Sequence, residues 1–109
     1  MGIVDIQLSK NFAYRKYAFP HIVHVNPGDI IRFHAEVSEF VVLIDNRDGF
    51  FQSPSNKLEF IISANTYKPT KKIKLNLPKG TEKYYSAYCD MNNNYADAPG
   101  ASPPKIVVM

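Results

Sequence analysis

The apolar residues of this chain recur at every second position rather than every third or fourth. In "IVDIQL", Val4, Ile6 and Leu8 point one way and Asp5 and Gln7 the other. In "DIIRFHAEV", Ile31, Phe33, Ala35 and Val37 oppose Arg32, His34 and Glu36. In "KKIKLNLP", Ile73, Leu75 and Leu77 alternate with Lys72, Lys74 and Asn76. Side chains leave a strand on opposite faces in turn, so this is the pattern of half-buried strands. "FVVLI" (Phe40 to Ile44) and "LEFII" (Leu58 to Ile62) are short apolar runs containing β-branched residues, and they read as central strands.

Turn signals punctuate these runs. "NPGD" (Asn26 to Asp29) combines a proline that fixes φ with a glycine free to adopt positive φ. "NRDG" ends at Gly49, Pro69 interrupts "KP", and "LPKG" runs to Gly80. There is no internal repeat and no shift of composition along the 109 residues. The expectation is one domain, residues 1–109, all-β: a two-sheet Greek-key sandwich of roughly seven to nine strands with no substantial helix.

No apolar run approaches the roughly 20 residues of a membrane-crossing helix. "MGIVDIQL" lacks the basic and continuous apolar regions of a signal peptide, and Ile6 stands where a myristoylation signal wants Ser or Thr. The single cysteine, Cys89, cannot form an internal disulfide and does not report the redox compartment. The chain is therefore expected to be cytoplasmic, or a mature domain whose leader was trimmed. The stop just after the last apolar strand is compatible with a complete domain.

Catalytic constellations are missing. A nucleophilic Cys89 would need a nearby base, whereas Asp90 beside it would raise the thiol pKa. No serine elbow, HExxH, phosphate-cradling glycine loop or CxxC occurs. Asp45 with Asp48, and Glu36 with Glu39, read as solvated charges, and Arg47 takes a ligand slot that a calcium loop would need. No enzyme is expected.

"FPHIVHVNPGDIIRF" (Phe19 to Phe33) resembles the entry hairpin of cupredoxins, the blue-copper β-sandwiches. There an apolar alternation (here Val23 and Val25) meets a Pro-Gly-Asp turn and an apolar-x-Phe strand (here Ile31 and Phe33). "YSAYC", a loop, and "KIVV" are similar to the penultimate strand, ligand loop and final strand of that family. The resemblance spans roughly Phe19 to Met109. It implies a periplasmic or extracellular setting if a leader was removed, and it makes a demand: a thiolate, two imidazoles and usually an axial thioether for copper. The thiolate matches Cys89. The first imidazole matches Phe40, with Glu39 beside it, the second falls nearest Asn92, and the thioether falls roughly at Asp97. His21, His24 and His34 lie far along the chain, with His24 and His34 on the solvent side by the alternation, where they could be cross-strand neighbours.

Two readings follow. In the first, the domain binds no cofactor, Cys89 is a small buried hydrophobe, and the protein is a binding or assembly module that uses the loops at one end. In the second it is an electron-transfer or copper-handling protein with a non-standard copper ligand set of Cys89, Glu39 and Met91. For the first, the long loops "NRDGFFQSPSNK" and "MNNNYADAPGASPP" supply the surface. Phe50, Phe51, Tyr88 and Tyr95 would be aromatic anchors, and Asn92, Asn93 and Asn94 adaptable polar groups for another protein. The alternative for Phe50 and Phe51 is that they close the sandwich as core.

The net charge of +3 is concentrated: Lys68, Lys71, Lys72, Lys74, Lys79 and Lys83 share a stretch whose only acid is Glu82. Lys68, Lys71, Lys72 and Lys74 could face an anionic surface, or they could protect an edge strand from pairing with another sheet. Without an arginine-rich stripe, nucleic acid is not expected.

Overall fold

A computed structural model describes residues 2–9, 18–36, 38–89, 94–95 and 103–109; at Cys89, Asn94 and Tyr95 it describes the backbone alone. The described residues contain strands and no helix, so none is long and apolar enough to cross a membrane. One layer has the order β2-β1-β4-β7: β1 is Ile3–Leu8, β2 Ala18–Phe19, β4 Ile30–Ala35 and β7 Thr66–Lys72. Here β1 runs parallel to β4, with Ile6 opposite Phe33.

The second layer is spliced from two ladders. β10 (Asn94–Tyr95), β9 (Ser86–Cys89), β5 (Phe40–Asp45) and β6 (Lys57–Ile62) form one. β3 (Ile22–Val25), β11 (Lys105–Val108) and β8 (Glu82–Tyr84) form the other. Only Tyr85 separates β8 from β9, so a single bent run pairs with β11 first and with β5 afterwards. The bend has a hydrogen-bonding cause: the Tyr85 N–H donates to the Pro104 carbonyl at 3.1 Å instead of continuing the β5 ladder. With β8 and β9 read as one strand and the two-residue segments set aside, the strand number lies in the expected range.

The alternation read from the sequence for β1 and β4 is the alternation that packs: Ile6 and Leu8, and Ile31, Phe33 and Ala35, are buried between the layers. The apolar run of β5 also buries every second residue, Phe40, Val42 and Ile44. The Phe33 and Tyr85 rings meet edge-on at 5.6 Å, one from each layer, a geometry that aromatic quadrupoles favour. Such burial excludes water from apolar surface at about 25 cal/mol per Å² and is the main force holding the layers together.

Two strand expectations are corrected. Pro69 does not break the chain; it lies within β7, opposite Arg32. β7 is the edge of its sheet, where a missing N–H can face solvent. A register shift at Ile30/Arg32 accompanies it. The Ile31 N–H displaced from the ladder donates to Thr70 Oγ1 at 3.1 Å, so no buried donor is left unsatisfied there. Conversely, "IKLNL" is not a strand: β7 ends at Lys72, Ile73 makes an isolated bridge to Phe51, and Leu75 lies in an exposed turn. Its apolar alternation belongs to a turn whose residues happen to alternate.

Candidate functional site

β5 and β9 build the end of the sandwich that the sequence singles out. They pair antiparallel with Phe40 opposite Cys89, Val41 opposite Tyr88 and Val42 opposite Ala87. Phe40 is fully buried, whereas Glu39 before it is exposed. After Cys89, Asn94 returns opposite Cys89 and Tyr95 opposite Tyr88, so β10 forms the edge of this layer. Tyr88 is partly exposed. Met91, Asn92 and Asn93 lie outside the described residues.

The strand directions separate two of the seven expected surface residues from the others. β5 starts at Phe40 and ends at Asp45, which faces Lys57, so the segment from Asn46 to Asn56 connects strands at the opposite end. Six residues of strand separate the two ends by about 17 Å. Phe50 and Phe51 therefore cannot join Tyr88 and Tyr95 in one surface. Both rings are also 1% exposed and meet edge-on at 5.1 Å. The Lys74 N–H donates to the Phe50 carbonyl at 2.9 Å and the Gln52 N–H to the Lys72 carbonyl at 2.8 Å. Phe50 and Phe51 are buried and plug the far end of the sandwich.

No histidine lies in the hydrogen-bonded ladder of Cys89. His24 is exposed on β3, opposite Val107, and His21 immediately precedes β3. His34 is on β4, in the other layer, so the anticipated His24–His34 pair does not form. The Nδ1 of His34 lies 2.6 Å from Gln7 Oε1, a hydrogen bond between the two side chains. Its ring stacks on Tyr67 at 4.2 Å, and the Arg32 guanidinium sits 4.4 Å from the Tyr67 ring centre. Among the described residues no three His, Cys, Asp or Glu side chains cluster as a metal site would require.

Asp45, Asp48 and Asp5 are engaged in ion pairs. Arg47 grips Asp45 through Nε at 3.0 Å and Nη2 at 2.6 Å, and holds that carboxyl far below the usual carboxylate range. Asp48 accepts from Lys83 Nζ at 2.6 Å. Arg32 pairs bidentately with Asp5 at 2.7 and 3.0 Å, lowering the Asp5 pKa chiefly through the hydrogen bond.

Sequence reasoning missed a groove beside the Tyr85 bend. It holds about 530 Å³ and is lined by Leu43, Ile44, Arg47, Tyr84, Tyr85 and Pro103, among others. It exists because β9 stops pairing with β5 at Leu43 while β5 runs on to Asp45. The only signal in the sequence is the doubled tyrosine at Tyr84 and Tyr85, one exposed and one buried.

No protein-family model matches the sequence, and no curated protein matches it. Solved structures do resemble the fold. A pseudoazurin from Sinorhizobium superposes with a TM-score of 0.59 at 15% identity, covering 100% of this chain and 75% of that one. Amicyanin in a reduced Cu(I) form gives 0.56 at 13% identity, with 98% and 82% covered. Auracyanin A, a blue copper protein from Chloroflexus aurantiacus, gives 0.51 at 16% identity, with both chains covered completely. The fold is that of the cupredoxins, as the entry hairpin and the final strands had implied.

Proposed function

We propose that this protein uses the cupredoxin fold as a binding or assembly module rather than as a copper carrier. The observation that carries this reading is the register of β5 and β9. The position directly across from Cys89 holds the buried ring of Phe40, which offers no donor to a metal. His24 and His34 lie in other ladders than Cys89, and His21 precedes β3. Type 1 copper needs imidazole nitrogen beside thiolate sulfur, so the donors present do not fit that ion.

With Phe50 and Phe51 withdrawn into the core, the surface left for a protein partner is the end built by β9 and β10. Tyr88 and Tyr95 are cross-strand neighbours there, and Asn92, Asn93 and Asn94 belong to the same connection. Tyrosine and asparagine suit recognition because they give contact area and hydrogen bonds at low entropic cost.

Adding Cu(II) to the pure protein and recording the visible spectrum tests the metal half. No intense thiolate-to-copper band is expected; such a band, abolished by Cys89→Ser, would overturn the reading. Capture of partners by the wild-type chain and by a Tyr88→Ala/Tyr95→Ala variant tests the surface. Retention of every partner by the variant would rule that surface out.

A further inference from the structure

The end of the sandwich away from Cys89 carries a feature that partner binding at the other end does not use. Leu75 is 69% exposed, although it is aliphatic and its position is fixed. The turn bearing it is tied down on both sides. On one side the Ile73 N–H donates to the Asp29 carbonyl and the Gly28 N–H to the Ile73 carbonyl, both at 2.9 Å. On the other, the Gly80 N–H donates to the Val108 carbonyl at 2.7 Å, and Thr81 Oγ1 donates to the Pro78 carbonyl at the same distance. Met109, half-exposed, joins this end through its N–H bond to the Val25 carbonyl.

The charge around Leu75 is of one sign. Lys71, Lys72, Lys74 and Lys79 are exposed and make no ion pair among the described residues. The acids nearby are already engaged. Asp29 is buried and its carboxylate accepts from the Gly2 and Asn26 N–H groups. Asp48 is held by Lys83 and Glu82 by Lys105.

We propose that this end docks on an anionic lipid bilayer, with Leu75 entering the acyl boundary and Lys72, Lys74 and Lys79 meeting the headgroups. A convex turn with one protruding aliphatic side chain suits a bilayer, which yields around the protrusion. An acidic protein would have to offer a matching pocket. A single-stranded nucleic acid would call for an exposed aromatic beside the lysines to stack on, whereas Phe50 and Phe51 next to this turn are buried. Each lysine near an anionic surface strengthens binding roughly fivefold. Leucine adds apolar transfer that salt does not screen.

Co-sedimentation with vesicles tests the proposal, using pure phosphatidylcholine and an equimolar mixture of phosphatidylcholine and phosphatidylserine. The wild-type chain is expected to bind the anionic vesicles and not the neutral ones. A Lys72→Gln/Lys74→Gln/Lys79→Gln variant should lose about 100-fold in affinity, and Leu75→Ser about tenfold. Because all four side chains are exposed, both variants should keep the wild-type melting temperature, which separates lost docking from lost folding. Three results would overturn the proposal: no binding to anionic vesicles, binding unchanged in Leu75→Ser, or equal binding to a soluble polyanion such as heparin with Leu75 irrelevant to the vesicle affinity.

Discussion

Asn46 and Phe51 are joined side chain to backbone: Asn46 Oδ1 accepts the Phe51 N–H at 2.8 Å. The amide of the same side chain donates to the Ser55 carbonyl at 3.1 Å, and its own N–H reaches the Asn56 carbonyl at 2.8 Å. Asn46 is 3% exposed, so a short polar side chain stands in for the ladder that the loop lacks. Asn46→Ala should therefore cost about 2–3 kcal/mol, because it strands the buried Phe51 N–H and frees the loop around it. Asn46→Asp keeps the acceptor but turns an oxygen toward the Ser55 carbonyl, so it should rescue little. Chemical denaturation of both variants checks this; wild-type stability in Asn46→Ala would show that the loop is held by something else.

The plug itself predicts a larger loss. Truncating a fully buried aromatic ring leaves a cavity that neighbours fill only in part, at about 3–5 kcal/mol. Phe51→Ala should fall in that range, and Phe50→Ala slightly below it if the nearby Lys83 stem collapses into the space. The Lys83 Nζ lies 5.9 Å from the Phe50 ring centre. Loss of partner capture in a Phe51→Ala chain that is still as stable as wild type would restore that residue to the recognition surface.

What the sequence revealed, and what it hid, follows from how far each residue's role reaches along the chain. β1 and β4 were legible because each buries one face, and period-two alternation is the local trace of that burial, while β5 was legible as a short apolar run containing β-branched residues. The resemblance matched Phe40 to the family's first imidazole position and Cys89 to its thiolate; the register sets these two residues opposite each other, a pairing across strands that the sequence did not record. For Phe50 and Phe51 the sequence left core and surface both open, because they lie in a polar loop; the Ile73 bridge and Asn46, which no local pattern predicts, explain their burial. Leu75 misled in the opposite sense, since its spacing from Ile73 imitates a strand that the chain leaves after Lys72. The end-to-end placement of the two long loops depended on strand direction, which no local pattern records.

The exposed ion pairs set the response to acid. The Asp5 and Asp45 pKa values are depressed in the folded state, by the hydrogen bonds of Arg32 and Arg47 respectively. Their contribution is complete above the unfolded carboxylate pKa of about 4 and is lost as pH falls through the folded values. Stability should thus decline below about pH 4, and less steeply in Asp5→Asn/Asp45→Asn. Both pairs are solvent-exposed, so the difference should be small and should shrink in high salt. At the alkaline end, Lys105 is raised by its hydrogen bond to Glu82; its contribution is complete below the unfolded lysine pKa and is lost as pH rises through the folded value. Melting temperatures across pH measure both limbs, and an identical acid limb in the double variant would count against the assignment.

Gly28 and Gly80 share a φ of +89° but not an environment. That conformation costs a non-glycine residue about 1–2 kcal/mol through contact of Cβ with backbone. A Cβ on Gly80 would meet nothing within 4 Å, whereas one on Gly28 would lie 2.9 Å from Leu75 Cδ2. Gly80→Ala should therefore show the backbone cost alone. Gly28→Ala should add the displacement of Leu75, a side-chain end that can move, at roughly 0.5–1 kcal/mol more. Leu75→Ala is expected to be nearly silent by itself, since its side chain is mostly in water, yet it should erase the difference between the two glycine variants. A double-mutant cycle over Gly28 and Leu75 measures that coupling directly. Zero coupling would mean that Leu75 does not rest over the Asn26–Asp29 turn in solution, and the fixed, protruding position on which its membrane role depends would be lost with it.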